Sequence, residues 1–326
     1  MNNITGKKNE NAAKWNINSL LKYISALSII VLSLAFFIIN GSFFSPYNLK
    51  NIFIDSAPLL VMACGATLVI MLGSVDLSVG AVCSVANVLF VTLIPDLGFG
   101  AYLVTLVFGL LSGLLLGFVH VKIKIPSFIA SLGFMSIWSS LALVICDTPI
   151  SVAKVLRPII DWASFSVGVV NITIVVALIF VAIFYVIQTR TGIGKGVFAI
   201  GGNERTARLA GIPVDRIKIL VFMLCGLCSS IGGIILAAKL KSAAATIGDS
   251  FTLLVIASVA LGGTALDGGK GSLIGTLLGV ALVTIIQNGM NIIGVNAFWQ
   301  QIVFGIVVIL AVTLTVDRTR RNLVVK

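Results

Sequence analysis

Residues 168–187 read GVVNITIVVALIFVAIFYVI, and residues 188–216 continue as QTRTGIGKGVFAIGGNERTARLAGIPVDR. The first stretch is uncharged and of the length, about 20 residues, at which an α-helix crosses the hydrocarbon of a bilayer. The second carries Arg190, Lys195, Arg205, Arg208 and Arg216 and belongs in water. The same alternation runs along the 326-residue chain, which is 59% hydrophobic and only 10% charged, with a mean hydropathy of +1.15. Soluble domains are typically about a quarter charged, and disordered chains lack this much apolar surface, so both classes are excluded.

Ten apolar runs qualify as spans, near 22–41, 52–72, 78–95, 99–119, 126–146, 168–187, 217–238, 251–267, 272–293 and 298–316. The expected division is a cytoplasmic segment 1–21, a membrane domain 22–316 with its longest cytoplasmic loop at 188–216, and a cytoplasmic tail 317–326. With both termini inside, seventeen of the 22 Lys and Arg residues fall on the cytoplasmic side, as the positive-inside rule requires. The net charge of +11 is therefore topological and does not point to nucleic acid. Lys7, Lys8 and Lys14 precede the first run, and no small-residue cleavage site follows it, so an uncleaved anchor is expected.

Glycine marks the packing. Gly109, Gly113 and Gly117 share one helix face, as do Gly275 and Gly279, which lets helix backbones approach closely. The five cysteines, Cys64, Cys83, Cys146, Cys225 and Cys228, lie in or beside apolar runs and read as small packing residues. Two interruptions echo one another: Leu72-Gly73-Ser74 with Asp76 and Gly80, and Leu261-Gly262-Gly263 with Asp267 and Gly269. Such pairs mark either broken helices beside a transport path or two ordinary tight turns.

Enzyme chemistry finds no foothold. His120 is the only histidine, so neither a histidine metal site nor a Ser-His-Asp triad can be assembled. The glycine run around Lys270 fails as a phosphate loop because Gly271 stands where Ser or Thr is required. Intramembrane charge is limited to Asp55 and Asp76, which argues against a proton- or sodium-driven carrier. Asp76 has two readings, a cap for the helix beginning near Leu77 or a direct role in transport.

In the 188–216 loop, Asn203 is a strong N-cap, Glu204 suits a positive helix start, and Gly211 suits a left-handed stop. Glu204 and Arg208 are spaced for an i,i+4 pair. A short capped helix follows, either lying at the lipid headgroups or docking a cytoplasmic partner. On a late span, Gln287, Asn288 and Asn291 offer amides, and Asn87 offers another on an early one. They read as interhelical hydrogen bonds or as a wet stripe for a hydroxylated solute.

The stretches Gly73-Ser74-Val75-Asp76-Leu77-Ser78-Val79-Gly80, Thr189-Arg190-Thr191-Gly192 and Gly201-Gly202-Asn203-Glu204 carry a resemblance. So do Arg208-Leu209, Gly211-Ile212, Leu261-Gly262-Gly263-Thr264, Gly268-Gly269-Lys270-Gly271, and Asn288-Gly289 with Asn291 and Gly294. Together they resemble the permease of bacterial ABC-type monosaccharide importers, the ribose, xylose, allose and autoinducer-2 group, over roughly residues 50–316. Arg205-Thr206 stands where relatives often have two alanines, and Thr252 and Leu254 where ribose permeases tend to be acidic. The resemblance implies an all-α polytopic membrane protein of the type II importer kind, with about ten transmembrane helices, some broken or short. It also implies a homodimer in the bacterial cytoplasmic membrane, a separate cytoplasmic ATP-hydrolysing subunit and an extracytoplasmic sugar-binding protein. No cofactor is expected.

The expected path residues are Asp76, Asn87, Gln287, Asn288 and Asn291. Coupling is assigned to Asn203, Glu204, Arg205, Ala207, Arg208, Leu209 and Gly211 in the 188–216 loop. Lys239 and Lys241 either dock the binding protein or are solvated loop charges. An autoinducer-2 or polyol permease and an autonomous secondary carrier are the alternatives.

Overall fold

Small residues every fourth position decide how the bundle packs. In helix α4 (Gly100–Lys122), Gly109 and Gly113 lie directly on the backbone of helix α9 (Val214–Leu240). A methyl group on Gly113 would run into the Phe222 carbonyl, and one on Gly226 into the Gly109 carbonyl. The two helices thus touch main chain to main chain, the close crossing that small-residue repeats permit in a bilayer.

The computed structural model describes residues 25–315, so the expected segments 1–21 and 317–326 lie outside the described residues. Around α4 and α9 stand α1 (Ser25–Ile39), α2 (Pro46–Met71), α3 (Val79–Leu97), α5 (Ser127–Ile145) and α6 (Ile172–Arg190). Then come α7 (Gly192–Gly202), α8 (Glu204–Leu209), α10 (Asp249–Leu261), α11 (Leu273–Ile292) and α12 (Ala297–Thr315). Between α5 and α6 a cap of short turns carries β1 (Ile150–Ser151), β2 (Ser166–Val167) and β3 (Val170–Asn171). β2 and β3 form a hairpin, and β1 pairs antiparallel with β4 (Ser242–Ala243), tying the cap to the end of α9. Helix α2 is the centre of the core, buried from Ser56 to Met71. α5 and α6 present Ile129, Leu143, Val144, Ile179 and Val186 outward. The protein is an all-α polytopic membrane protein.

Among the described residues, seven helices are long and apolar enough to cross a membrane: α2, α3, α4, α5, α6, α9 and α11. Each of the ten apolar runs coincides with a helix, but boundaries move where polar chemistry sets them. α2 begins at Pro46, inside the expected polar segment 42–51, because Ser45 caps its N-terminus and proline suits the first turn. α6 begins only at Ile172, where Asn171 caps it. The run at 251–267 becomes α10, whose 13 residues span about 20 Å and fall short of a crossing. Gly262 and Gly263 end it, the second with φ +82°.

Candidate translocation and coupling site

Helix α9 serves as a ruler for the first break. The carbonyl of Cys83 and the chain at Asn87 in α3 lie against Gly233. Below them, Asp76 meets the thiol of Cys225, near the middle of α9. α3 therefore starts half-way along α9, and residues 72–78 reach that level as a non-helical turn and connection. Asp76 is buried, and its Oδ1 accepts hydrogen bonds from the Ser78 amide (2.8 Å) and hydroxyl (2.6 Å). It orders the turn that launches the helix at Val79 rather than capping one at Leu77.

A second half-helix meets the first from the opposite direction. After β4, residues 244–248 descend along α3: the Ala244 amide donates to Asn87 Oδ1 (3.1 Å) and the Gly248 amide to Ser84 Oγ (2.9 Å). α10 then begins at Asp249, where Gly80 and Gly248 leave no room for a side chain on either. The Gly80 amide donates to Thr252 Oγ1 at 3.2 Å, so the N-termini of α3 and α10 cross here. Gly248 went unread in the sequence because segment 239–250 looks like an ordinary polar loop, and Thr252 was noted only for departing from the acidic residue of ribose permeases.

The echoing glycine runs, one a break before α3 and the other a turn after α10, are not independent of each other. They touch. Gly73 (φ +75°) packs on Gly268 (φ +87°), and the Gly269 amide donates to the Met71 carbonyl at 2.9 Å. Gly201, near the end of α7, fits between the Met71 carbonyl and the Gly269 amide with no space for a methyl group. Three segments meet as bare backbone: the break after α2, the turn after α10 and the end of α7.

The loop 188–216 holds one more helix than expected, α7, capped by Thr191. α8 is built as its sequence predicts. Asn203 Oδ1 accepts from the Thr206 amide (3.0 Å), and Gly211 stops the helix with φ +79°, its amide donating to the Arg208 carbonyl. Ala207 is the buried residue of α8, while Leu209 is 83% exposed and Arg205 is exposed and makes no ion pair among the described residues. An ion chain fastens the helix down. Lys218 reaches Glu204 (2.7 Å), Arg208 bridges Glu204 (3.3 Å) and Asp215 (2.8 Å), and Lys122 closes on Asp215 (3.6 Å). α8 is thereby tied to the start of α9, whose Asp215 also holds the end of α4. Burial alone would raise the Glu204 carboxyl, but Lys218 and Arg208 hold it below its ordinary value. The chain is therefore intact at neutral pH and lost only as acid passes that lowered value.

The structure thus combines a membrane bundle, a broken-helix crossing and, joined to it through backbone contacts, a capped and exposed helix in a polar loop. Residues 48–312 match the family described as "branched-chain amino acid transport system / permease component". The chain belongs to this permease family. It is 37% identical to the ribose import permease protein RbsC of Bacillus subtilis, over 88% of this chain and 90% of that one. It is 36% identical to the probable ABC transporter permease protein YphD of Escherichia coli, over 90% and 89%. It is also 30% identical to the D-allose transport system permease protein AlsC of Escherichia coli, over 83% and 84%. No solved structure matches the chain.

The amides of this permease do not gather into one stripe. Asn288 and Asn48 exchange reciprocal hydrogen bonds (2.9 Å each), joining α11 to α2. Asn291 accepts from Gln300 (2.7 Å), joining α11 to α12. Asn87 spans α9 and the descending stretch 244–248, as its contacts above show. Gln287 is half-buried and makes no side-chain hydrogen bond among the described residues. On the opposite side, Lys239 pairs with Asp55 (2.5 Å) and Lys241 with Asp161 (2.7 Å), so both lysines are engaged within the chain. The five cysteines are buried and unbridged.

Proposed function

We propose that this permease carries a monosaccharide into the cell as a homodimer, driven by a separate cytoplasmic ATP-hydrolysing subunit and fed by an extracytoplasmic sugar-binding protein. The family's description names amino acids, but the similar curated relatives named for a cargo import ribose or allose. One observation carries the mechanism: α8, with Leu209 exposed on it, is fastened by ions to α9 and through Asp215 to α4, and its neighbour α7 by backbone to both glycine breaks. A partner that grips α8 moves the bundle ends and the half-helix crossing together, by rigid-body shifts. Asn203 and Gly211 hold the helix's shape, Glu204 and Arg208 hold it to the bundle, and Arg205 and Leu209 meet the partner. Of the five expected path residues, Asp76 stands at the crossing and Gln287 keeps its amide free. Asn87, Asn288 and Asn291 act as struts between helices. Lys239 and Lys241 would reach a binding protein only by exchanging Asp55 and Asp161 for its carboxylates.

The test is uptake of labelled ribose, allose and leucine by vesicles holding the permease with its ATP-hydrolysing and binding-protein partners. ATP-dependent entry of a monosaccharide is expected; entry of leucine alone contradicts the reading. Orientation is tested separately. With both termini and the 188–216 loop cytoplasmic, Thr191→Cys resists a membrane-impermeant thiol reagent in intact cells, and labelling there overturns the topology. Gly211→Val forces a β-branched residue to φ +79° and is expected to weaken ATPase recruitment roughly tenfold, with the permease still inserted. Co-purification measures it, and parental recovery would remove α8 from the docking surface.

A further inference from the structure

Beside the half-helix crossing lies a groove of about 440 Å³, within the range of roughly 300–1,000 Å³ usual for small-molecule sites. Leu77 and Ala81 of the α3 start, Asp249, Thr252 and Leu253 of the α10 start, and Met135 and Ser139 of α5 line it. We infer that this groove is a binding subsite for a neutral polyhydroxylated solute of monosaccharide size, held by the Asp249 carboxylate and the Ser139 hydroxyl. The inference rests on the sugar-importer reading and gives that cargo a place in the fold.

The chemistry of the lining is selective. The Asp249 carboxylate and the Ser139 hydroxyl make no hydrogen bond or ion pair among the described residues. A carboxylate accepts from two neighbouring hydroxyls at once, and a serine both donates and accepts, which matches a sugar ring. Leu77, Ala81, Met135 and Leu253 offer apolar surface for the ring's C–H face. Among the described residues no Lys, Arg or His lines the groove, so the ammonium of an amino acid could meet Asp249 but its carboxylate would find no counter-charge. The position also suits transport. Gly80 and Gly248 fix the crossing, so any shift of α3 against α10 reshapes the groove. Leu253 is 54% exposed, so in the single chain the groove is open on that side.

The experiment uses the assembled importer in vesicles. Every native cysteine is buried, so a maleimide reads a thiol introduced as Ser139→Cys, or as Met135→Cys on the same wall should the first fail to assemble. Saturating ribose delivered by the binding protein is expected to slow labelling several-fold, and leucine is not. Asp249→Asn is expected to lower ribose uptake roughly tenfold, since a charge-assisted hydrogen bond is lost. Labelling unchanged by ribose in vesicles that do import ribose overturns the subsite and leaves the importer reading standing. So does parental uptake by Asp249→Asn. Vesicles that import leucine and no sugar overturn both.

Discussion

Gly201→Ala is expected to leave the permease inserted in the membrane and to cut ATP-driven uptake by an order of magnitude or more. The added methyl group meets the Met71 carbonyl and the Gly269 amide, which are main-chain atoms with no rotamer to change. Overpacking usually costs about 1–3 kcal/mol, and backbone neighbours absorb it less readily than side chains. The damage falls where the end of α7 meets the break after α2, so the link between α8 and the crossing is broken before the bundle is. Gly202→Ala supplies the control, because nothing lies within 4 Å of its new methyl group and uptake should stay near parental. Equal uptake by the two variants would mean that the glycine junction transmits nothing.

Gly113→Leu is expected to prevent accumulation of folded permease altogether. A leucine there is driven into the Phe222 carbonyl and the Met223 Cα, and α4 and α9 can accept it only by moving apart. That separation also opens the neighbouring contacts of Gly109 and Gly117, so the cost is several kcal/mol, the range in which single substitutions unfold proteins. Membrane abundance and the thermal aggregation midpoint in detergent measure it. Gly133→Leu, on the open face of α5, should leave both near parental.

These cases divide the fold by what sequence can carry. The apolar runs were legible because a bilayer demands length and hydrophobicity from each helix on its own. α8 was legible for the same local reason, since Asn203, Glu204 and Gly211 settle its ends within nine residues. The half-helix α10 was not. Its start depends on Gly248 meeting Ser84 and on Thr252 meeting Gly80, partners more than 160 positions away. Asn288 shows the same limit: its amide read as an interhelical hydrogen bond or a contact for a solute, and its partner Asn48 lies 240 positions off. Lys239 and Lys241 read as docking or as solvated charges, and their partners Asp55 and Asp161 lie 184 and 80 positions away. Hydropathy sees the solvent of each residue, while hydrogen-bond capacity is spent across the fold.

The central claim is that the end of α7 and the glycine turn after α10 travel as one body when ATP acts on α8. A short, reducible chemical cross-link between Gly202→Cys and Lys270→Cys tests it most directly. Gly202 faces open space beside Gly269, and Lys270 is exposed on the adjoining position. The account predicts that the cross-link forms with and without trapped ATP, and that cross-linked permease keeps its ATP-driven uptake. Cross-linking that halts uptake until a reductant restores it would show the two segments moving apart and would contradict the account.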